Sequence, residues 1–348
     1  MVRLLQETPA RIVEKDGTIH YGTFRTPFRK ANMEDAPLYT LPAPRIWRNF
    51  RLKEWQHFGV IMPDCYFGTV IFDAKMAGIS FFYLYDRLQN SRFEHQRQVS
   101  GKSISVAGQV YQDSCFFEAK GYRIHFENRL DEGWHRIRID IDQNGSLPPV
   151  QGEVMVYEDL NKIEPLVQVS PISPNRPFYT HKAAAPASGR LRVGEREILL
   201  EREACIALFD EQKTYYPYVA FWKWATAAGY SQDGKLLAFN LCQNMMDDDE
   251  DFNENCFWMD GKISCLKAAR FEYSEVLKPW KIHTNDGLLD LFFVPAGERA
   301  QKLSAAGLVR SDFHQPFGLY RGSFTDDRGI NFPFEKMFGL AEHHVTRY

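Results

Sequence analysis

Short runs of apolar and aromatic residues, separated by glycines and polar pairs, recur along most of this chain from Trp55 onward. Residues 135–141 alternate polar and apolar side chains almost perfectly, which is typical of a β-strand with one dry face. Few windows have the 3.6-residue period of a helix. The pattern predicts an all-β fold of short antiparallel strands.

Two segments depart from this pattern because they are rich in turn-forming residues. The opening segment, to about Trp47, contains many glycines and prolines, and we interpret it as short strands and an extended arm. Prolines are dense between about 147 and 194, and this spacing argues against long strands. We therefore predict an N-terminal β-barrel half at 1–160, a Pro-rich connection at 161–195 and a C-terminal β-barrel half at 196–348.

Three short sequence echoes support two related halves, because they occur in the same order and are offset by roughly 140 to 150 residues. A duplicated domain produces echoes of this kind, and a half of this size suits one up-and-down barrel. The fold expected is two antiparallel β-barrel or sandwich halves related by a pseudo-repeat. The echoing pairs are 74–79 with 225–230, 114–117 with 255–258, and 133–137 with 278–282.

Composition, net charge and cysteine spacing argue against several classes of function. The 348 residues have a formal net charge of -3 and no basic stripe, so nucleic acid is not expected as a partner. No signal-like or membrane-length apolar run is present, which predicts a cytoplasmic protein without a membrane span. The six cysteines lack CxxC spacing and are interpreted as reduced structural thiols. No metal or cofactor is expected, and the sequence leaves the oligomeric state open.

The most unusual stretch is the aromatic segment 215–224. Strand alternation would place Phe221 on one sheet face and both Trp222 and Trp224 on the other. Two indoles on one face form a broad apolar wall that can hold an apolar ligand, stack on a sugar or stabilise a cation. Packing in a hydrophobic core explains the same residues without any function.

Amide side chains follow this segment in unusual number. Asn240 and Asn244 are candidate catalytic residues, which should face opposite to their apolar neighbours as a polar stripe for a ligand or as partners of nearby backbone. Glu254 is the leading candidate for a general acid or base, and its neighbours Asn253 and Asn255 are candidate substrate-binding residues. The alternative is a turn in which the two flanking amides bind the backbone.

Other polar residues give weaker signals. Trp258, His57 and Glu342 are candidate substrate-binding residues, and Asp260 with Gly261 is interpreted as a hairpin turn after Trp258. The acidic run 247–251 lacks the spacing and glycine of a calcium loop, so a solvated loop is the preferred interpretation.

A further set of motifs spans nearly the whole chain: 58–59, 66–68, 210–217, 224–227, 239–241, 253–255, 258 with 260–262, 279–280, 316–318 and 339–343. Together these motifs resemble a bacterial family known only as domain of unknown function 2804. The two-half layout is also similar, more distantly, to lipocalin-like proteins such as carotenoid hydratases. The resemblance implies two lipocalin-like halves, but it carries over no catalytic residues.

Three hypotheses of function follow. The first is an enzyme that acts by proton transfer (hydration, isomerisation or cyclisation) on a largely apolar small molecule, with Glu254 as the acid or base. The second is a non-catalytic protein that binds a lipid or isoprenoid; both hypotheses place the ligand in a lipocalin-like cavity lined by the aromatic residues. The third is a carbohydrate-active protein, which would need two carboxyl groups roughly 5 to 10 Å apart.

Overall fold

The computed structural model describes residues 3–39, 43–100, 103–246, 248–305 and 309–347. Strands account for 61% of the chain and helices for 4%, which confirms the all-β prediction. The described residues divide into two compact units. One comprises residues 7–169 and 173–215 and is called the barrel unit, because its sheet is nearly closed. The other comprises residues 3–6, 170–172 and 216–347 and is called the half-barrel unit.

The first sheet has 14 strands in the described residues, and its main path runs in the order β5-β4-β3-β2-β14-β12-β10-β9-β8-β7-β6. Outside this path, β11 pairs with β1 and β12, and β13 pairs with β12. The strands are β1 (Gly22–Phe24), β2 (Lys53–Ile61), β3 (Cys65–Asp73), β4 (Gly78–Asp86), β5 (Ser91–Val99), β6 (Ile104–Ser105), β7 (Asp113–Ala119), β8 (Tyr122–Arg129), β9 (Trp134–Ile141), β10 (Val150–Val156), β11 (Leu166–Ser173), β12 (Arg176–Val193), β13 (Arg196–Leu200) and β14 (Ile206–Thr214).

The sheet of the half-barrel unit has nine strands in the described residues, in the order β18-β17-β16-β15-β23-β22-β21-β20-β19. Its three last strands are long and form two extended hairpins. The strands are β15 (Val219–Tyr230), β16 (Leu236–Asn244), β17 (Cys256–Met259), β18 (Lys262–Cys265), β19 (Ala269–Glu272), β20 (Trp280–Thr284), β21 (Leu289–Ala305), β22 (Val309–Thr325) and β23 (Asn331–Arg347).

Alternation along the strands decides which side chains enter each core. On β9, Ile137, Ile139 and Ile141 are buried in the core of the barrel unit, while Arg138 is exposed. His135 lies on the same dry face as these isoleucines and is fully buried. The core face therefore carries a polar residue at one end of this strand.

The Pro-rich segment does not prevent a long strand, because β12 runs for 18 residues through Pro177 and Pro186. Pro186 is the last β12 residue paired with β14, and pairing with β13 begins at Gly189. A missing N–H is tolerated where a strand changes its neighbour. The expectation that this segment excludes long strands was wrong for that reason. The predicted domain limits at 160 and 196 stay a prediction, since the structure does not test whether either part folds alone.

Besides a 3-10 helix at Met33–Asp35, the opening segment contains the short helix α1 (Arg45–Arg51), and the sequence pattern predicted neither. The N-cap of α1 is Pro44, a residue whose fixed φ angle suits the start of a helix. None of its residues is buried, so the apolar periodicity that reveals most helices is missing here.

The predicted hairpin turn at Asp260 and Gly261 joins β17 to β18, and both residues have positive φ angles of 50° and 79°. Asp-Gly is the usual solution for such a turn because both central positions need left-handed backbone. One of the three echoes does not match in structure: Ala74 lies between β3 and β4, whereas Ala225 lies inside β15.

Candidate functional site

Strand register places the predicted aromatic and amide residues on one face of the half-barrel sheet. Trp222 pairs with Asn244 on β16 and with His344 on β23, and Trp224 pairs with Glu342 on β23. Directly paired residues in antiparallel strands share a face. We call this side of β15, β16 and β23 the indole face.

The opposite face of the same strands carries the apolar core of the unit. Ala225, Phe239, Leu241 and Ala341 alternate with the residues of the indole face and belong to one buried hydrophobic cluster. The half-barrel therefore has its core on one side of the sheet. Polar side chains on the indole face are not needed to build that core.

In the outer part of the indole face, the buried carboxylate of Glu342 accepts hydrogen bonds from two side chains. Trp222 Nε1 donates a hydrogen bond to Glu342 Oε2 at 2.8 Å, and Gln315 Nε2 donates to Glu342 Oε1 at 2.7 Å. Glu342 is 8% exposed, and the Trp222 ring stacks on Tyr216 with 5.7 Å between centroids. Glu342 consequently fixes the orientation of one indole.

The inner part of the indole face is a hydrogen-bonded chain that ends at Glu254. Trp224 Nε1 donates to Asn240 Oδ1 at 2.7 Å, and Asn240 Nδ2 donates to the carbonyl oxygen of Glu254 at 2.6 Å. Asn244 Nδ2 also donates to Glu254 Oε1, over a long distance of 3.4 Å. Glu254 is only 1% exposed. One amide thus links an indole to the backbone that carries the candidate acid.

The two amides that flank Glu254 bind the backbone. Asn253 Oδ1 accepts from the backbone N–H of Asn255 at 3.0 Å. Asn255 Oδ1 accepts from Cys242 N at 2.7 Å, and its Nδ2 donates to Lys267 O at 3.1 Å. These contacts match the turn alternative and hold the loop that presents Glu254. A role for either amide in ligand binding stays a prediction.

The two remaining predicted residues are Trp258 and His57. Trp258 is 1% exposed on β17, where it pairs with Ala238. His57 belongs to the barrel unit, where it is 6% exposed and its ring centroid is 6.4 Å from that of Phe81. The participation of His57 in a site therefore stays a prediction.

The acidic run forms a tightly bonded turn. Asp248 Oδ1 accepts hydrogen bonds from the backbone N–H groups of Glu250, Asp251 and Phe252 at 2.7 to 3.0 Å. Asp247 lies outside the described residues. Within the described ranges, no group of three His, Cys, Asp or Glu side chains is arranged to hold a metal ion.

A second polar cluster, which the sequence pattern did not reveal, lies inside the barrel unit. Glu158 is fully buried and bonds two histidines, with Oε2 2.9 Å from His135 Nε2 and Oε1 2.8 Å from His181 Nε2. Burial alone would raise the pKa of Glu158, but His181 and His135 outweigh it and lower the pKa to about 2. Burial would lower the pKa of His181, yet Glu158 and then Glu211 raise it to about 9.

The cluster continues along the inner face of β14. Lys213 is fully buried, with its Nζ 3.0 Å from Glu54 Oε1 and 3.6 Å from Glu211 Oε1. Burial opposes the charge of Lys213, but the two carboxylates outweigh it and raise its pKa. Gln56 Nε2 donates to Glu211 Oε1 at 3.3 Å. A largely buried ionic network therefore occupies part of the barrel interior, and its partly exposed member Glu54 also pairs with Lys75.

One sequence signal could have pointed to this network. Residues 210–213 are four consecutive polar residues without glycine or proline, in a strand that is buried along most of its length. A strand with only one dry face would carry polar residues at alternate positions. Glu158 gives no such signal, because it lies outside any strand.

Comparison with known proteins identifies the family. The family model described as domain of unknown function DUF2804 matches residues 4–348, so the chain belongs to this family. No curated protein matches the chain.

Solved structures with the same fold share little sequence with this chain. CghA crystallised with Sch210972 has a TM-score of 0.60 at 12% identity, over 99% of this chain and 98% of that one. Kievitone hydratase from Nectria haematococca has a TM-score of 0.50 at 10% identity, over 85% and 88%. These likenesses confirm the predicted lipocalin-like, two-half fold and say nothing about individual site residues.

Among the described residues, no helix is long and apolar enough to cross a membrane.

Proposed function

We propose that this protein binds a largely apolar small molecule against the indole face and transfers a proton to or from it through Glu254. The observation that carries the proposal is the chain from Trp224 through Asn240 to the Glu254 backbone. It connects an indole to the backbone of Glu254, a residue that is 1% exposed. A carboxyl group shielded from water and held in place is suited to general acid or base catalysis.

The aromatic side chains supply the second part of the chemistry. Hydration, isomerisation and cyclisation of an apolar molecule can all begin with protonation of a carbon–carbon double bond, which leaves a positive charge on carbon. The faces of indole and phenol rings stabilise such a charge. Trp222, stacked on Tyr216 and anchored by Glu342, supports this role. Glu342 acts in the proposal as a positioning residue for the indole.

The two solved structures described above are compatible with a reaction of this class, but they do not assign it to this chain. Kievitone hydratase bears the name of a hydratase, and CghA was crystallised with the small molecule Sch210972. At 10 to 12% identity the likeness supports only a shared fold, so the reaction proposed here rests on the indole face of this chain.

Deuterium incorporation tests the proposal before the substrate is known. The full-length protein is incubated in heavy water with a lipid extract of its source cells, and the extract is searched by mass spectrometry for compounds that gain deuterium. We expect at least one such compound. Glu254→Gln should reduce its labelling rate by at least about 100-fold, the usual contribution of a general acid or base. Glu272→Gln, at an exposed position of the same unit, should label at the wild-type rate.

Two results would contradict the proposal. Labelling by folded Glu254→Gln at the wild-type rate would remove Glu254 as the acid or base. Absence of labelling, together with a compound that co-purifies with the wild-type protein, would favour the non-catalytic binding alternative. Far-ultraviolet circular dichroism of each variant establishes that it is folded.

A further inference from the structure

The face of β15 and β23 opposite to the indole face carries an additional group of side chains. Ala225 and Ala341 lie in the apolar core on this face. Lys223 lies two positions before Ala225 on β15, and His343 lies two positions after Ala341 on β23. The two residues pair directly across these strands. They share the face of the core but lie at its edge, where each is half-buried.

Aromatic rings form the floor beneath this pair. The rings of Tyr273 and Trp280 stack with 3.8 Å between centroids, and Trp280 is fully buried. The hydroxyl of Tyr273 donates a hydrogen bond to Nδ1 of His343. Burial raises the pKa of Tyr273 to about 12, so the phenol keeps its proton. A neutral His343 that accepts at Nδ1 carries its own proton on Nε2, which leaves that nitrogen a donor.

Lys223 supplies a positive charge at this edge. Its Nζ lies 5.4 Å from the centroid of the Tyr273 ring, and among the described residues no carboxylate forms an ion pair with it. Burial lowers the pKa of Lys223, and burial followed by the charge of Lys223 lowers the pKa of His343. A half-buried ammonium group without an anionic partner favours binding of an anion.

The nearby acidic residues are already engaged by other bases. Glu298 Oε2 lies 2.8 Å from His314 Nδ1, and Asp312 Oδ1 lies 3.2 Å from His314 Nε2 and 3.3 Å from Lys302 Nζ. Two carboxylates thus face two basic groups. Neither carboxylate forms an ion pair with Lys223 among the described contacts.

Beyond the basic pair, β15 and β23 carry exposed apolar side chains on the same face, and Asp312 of β22 pairs with one of them, Val345. Phe221 and Val345 pair directly across the two strands, two residues past Lys223 and His343. They are 42% and 41% exposed. An anionic group at the basic pair would therefore have an apolar surface next to it.

We propose that Lys223 and the Nε2 of His343 bind the carboxylate of an apolar small molecule, whose hydrocarbon part lies on Phe221 and Val345. The ring of Tyr273 forms the floor of this carboxylate site. The site is distinct from the indole face, because it uses the opposite side of the same strands. A charge-assisted hydrogen bond from an ammonium to a carboxylate supplies both affinity and orientation.

Calorimetric titration with octanoate, octanol and octylamine tests the proposal on the full-length protein. We expect octanoate to bind, and octanol and octylamine to bind at least tenfold more weakly. Lys223→Met, which keeps the length of the side chain and removes its charge, should weaken octanoate binding at least tenfold. Lys223→Arg should retain most of the affinity, and His343→Gln should lose part of it.

Matched variants establish whether octanoate binds at Lys223 or elsewhere on the protein. Lys281→Met removes an exposed lysine of the same unit and should bind octanoate like the wild type. Glu254→Gln should also bind it normally, so failure of the catalytic proposal leaves this test intact. The proposal is overturned if octanoate binds no better than octanol, or if folded Lys223→Met binds it as well as the wild type. Loss of octanoate binding in Glu254→Gln but not in Lys223→Met would place the carboxylate on the indole face and also overturn it.

Discussion

Glu158→Gln tests the energetic role of the ionic network inside the barrel unit. The substitution preserves size but removes the negative charge that bonds His135 at 2.9 Å and His181 at 2.8 Å. Each hydrogen bond to a charged group contributes about 1.5–3 kcal/mol. Removing one partner of a buried ion pair costs about 3–5 kcal/mol, because the other charge is left without compensation. We therefore expect the free energy of unfolding of the barrel unit to fall by about 3–5 kcal/mol at pH 7.

The pH dependence of this loss gives a second measurement. The pKa of His181 is raised from 6.5 to about 9, so its stabilising contribution is complete below about pH 6.5 and disappears as the pH rises through about 9. The pKa of Glu158 is lowered from 4.5 to about 2, so its contribution is present above about pH 4.5 and disappears as the pH falls towards 2. The difference between wild type and variant should therefore be largest between about pH 4.5 and 6.5 and shrink on both sides.

Urea unfolding followed by circular dichroism measures the difference across this pH range. Because the chain has two compact units, hydrogen exchange of peptides from β12 is used to assign a transition to the barrel unit. Glu203→Gln, at an exposed position of the same unit, is the control and should change stability by less than about 0.5 kcal/mol. A loss below about 1 kcal/mol at pH 7, or a loss that stays constant up to pH 10, would refute the reasoning.

Three further predictions concern the half-barrel unit. A Cβ at Gly339 would lie 2.2 Å from a backbone oxygen, so Gly339→Ala should lower stability in urea by about 1–3 kcal/mol or more, whereas Gly229→Ala, with ordinary contact at 3.6 Å, should change it little. Asn255→Ala removes the side-chain acceptor of the Cys242 N–H, and exchange of that amide should accelerate at least about tenfold. Glu342→Ala removes the acceptor of the half-buried Trp222 indole and of the buried Gln315 amide, and it should lower stability by about 1–3 kcal/mol; unchanged urea midpoints would contradict this prediction.

Local periodicity explains the part of the fold that could be predicted. Residues two apart on a strand share a face, so the alternation around Trp222 and Trp224 correctly predicted that Phe221 faces the other way. The same rule separated Asn240 from its apolar neighbours. The turn at 260–261 was predictable because few residue pairs accept two positive φ angles.

Contacts between distant segments could not be predicted in the same way. Glu158 meets His135 and His181 although 23 positions separate it from each of them, and Glu158 is in no strand. No periodic pattern marks such a residue, because its position depends on how several strands curve around one interior. The prolines of β12 misled the prediction for a related reason, since the cost of a missing N–H depends on which strand lies beside it.

The sequence by itself determined the β class, the alternation of each strand and the local turns, because these depend on residues that are close in the chain. Tertiary structure decided strand order and register. The register of the paired strands places Trp224 within hydrogen-bond distance of Asn240 and places Lys223 directly opposite His343. Tertiary structure also decided which polar side chains became buried. Burial and the proximity of opposite charges control the pKa values of Glu158 and His181, and both are properties of the folded barrel.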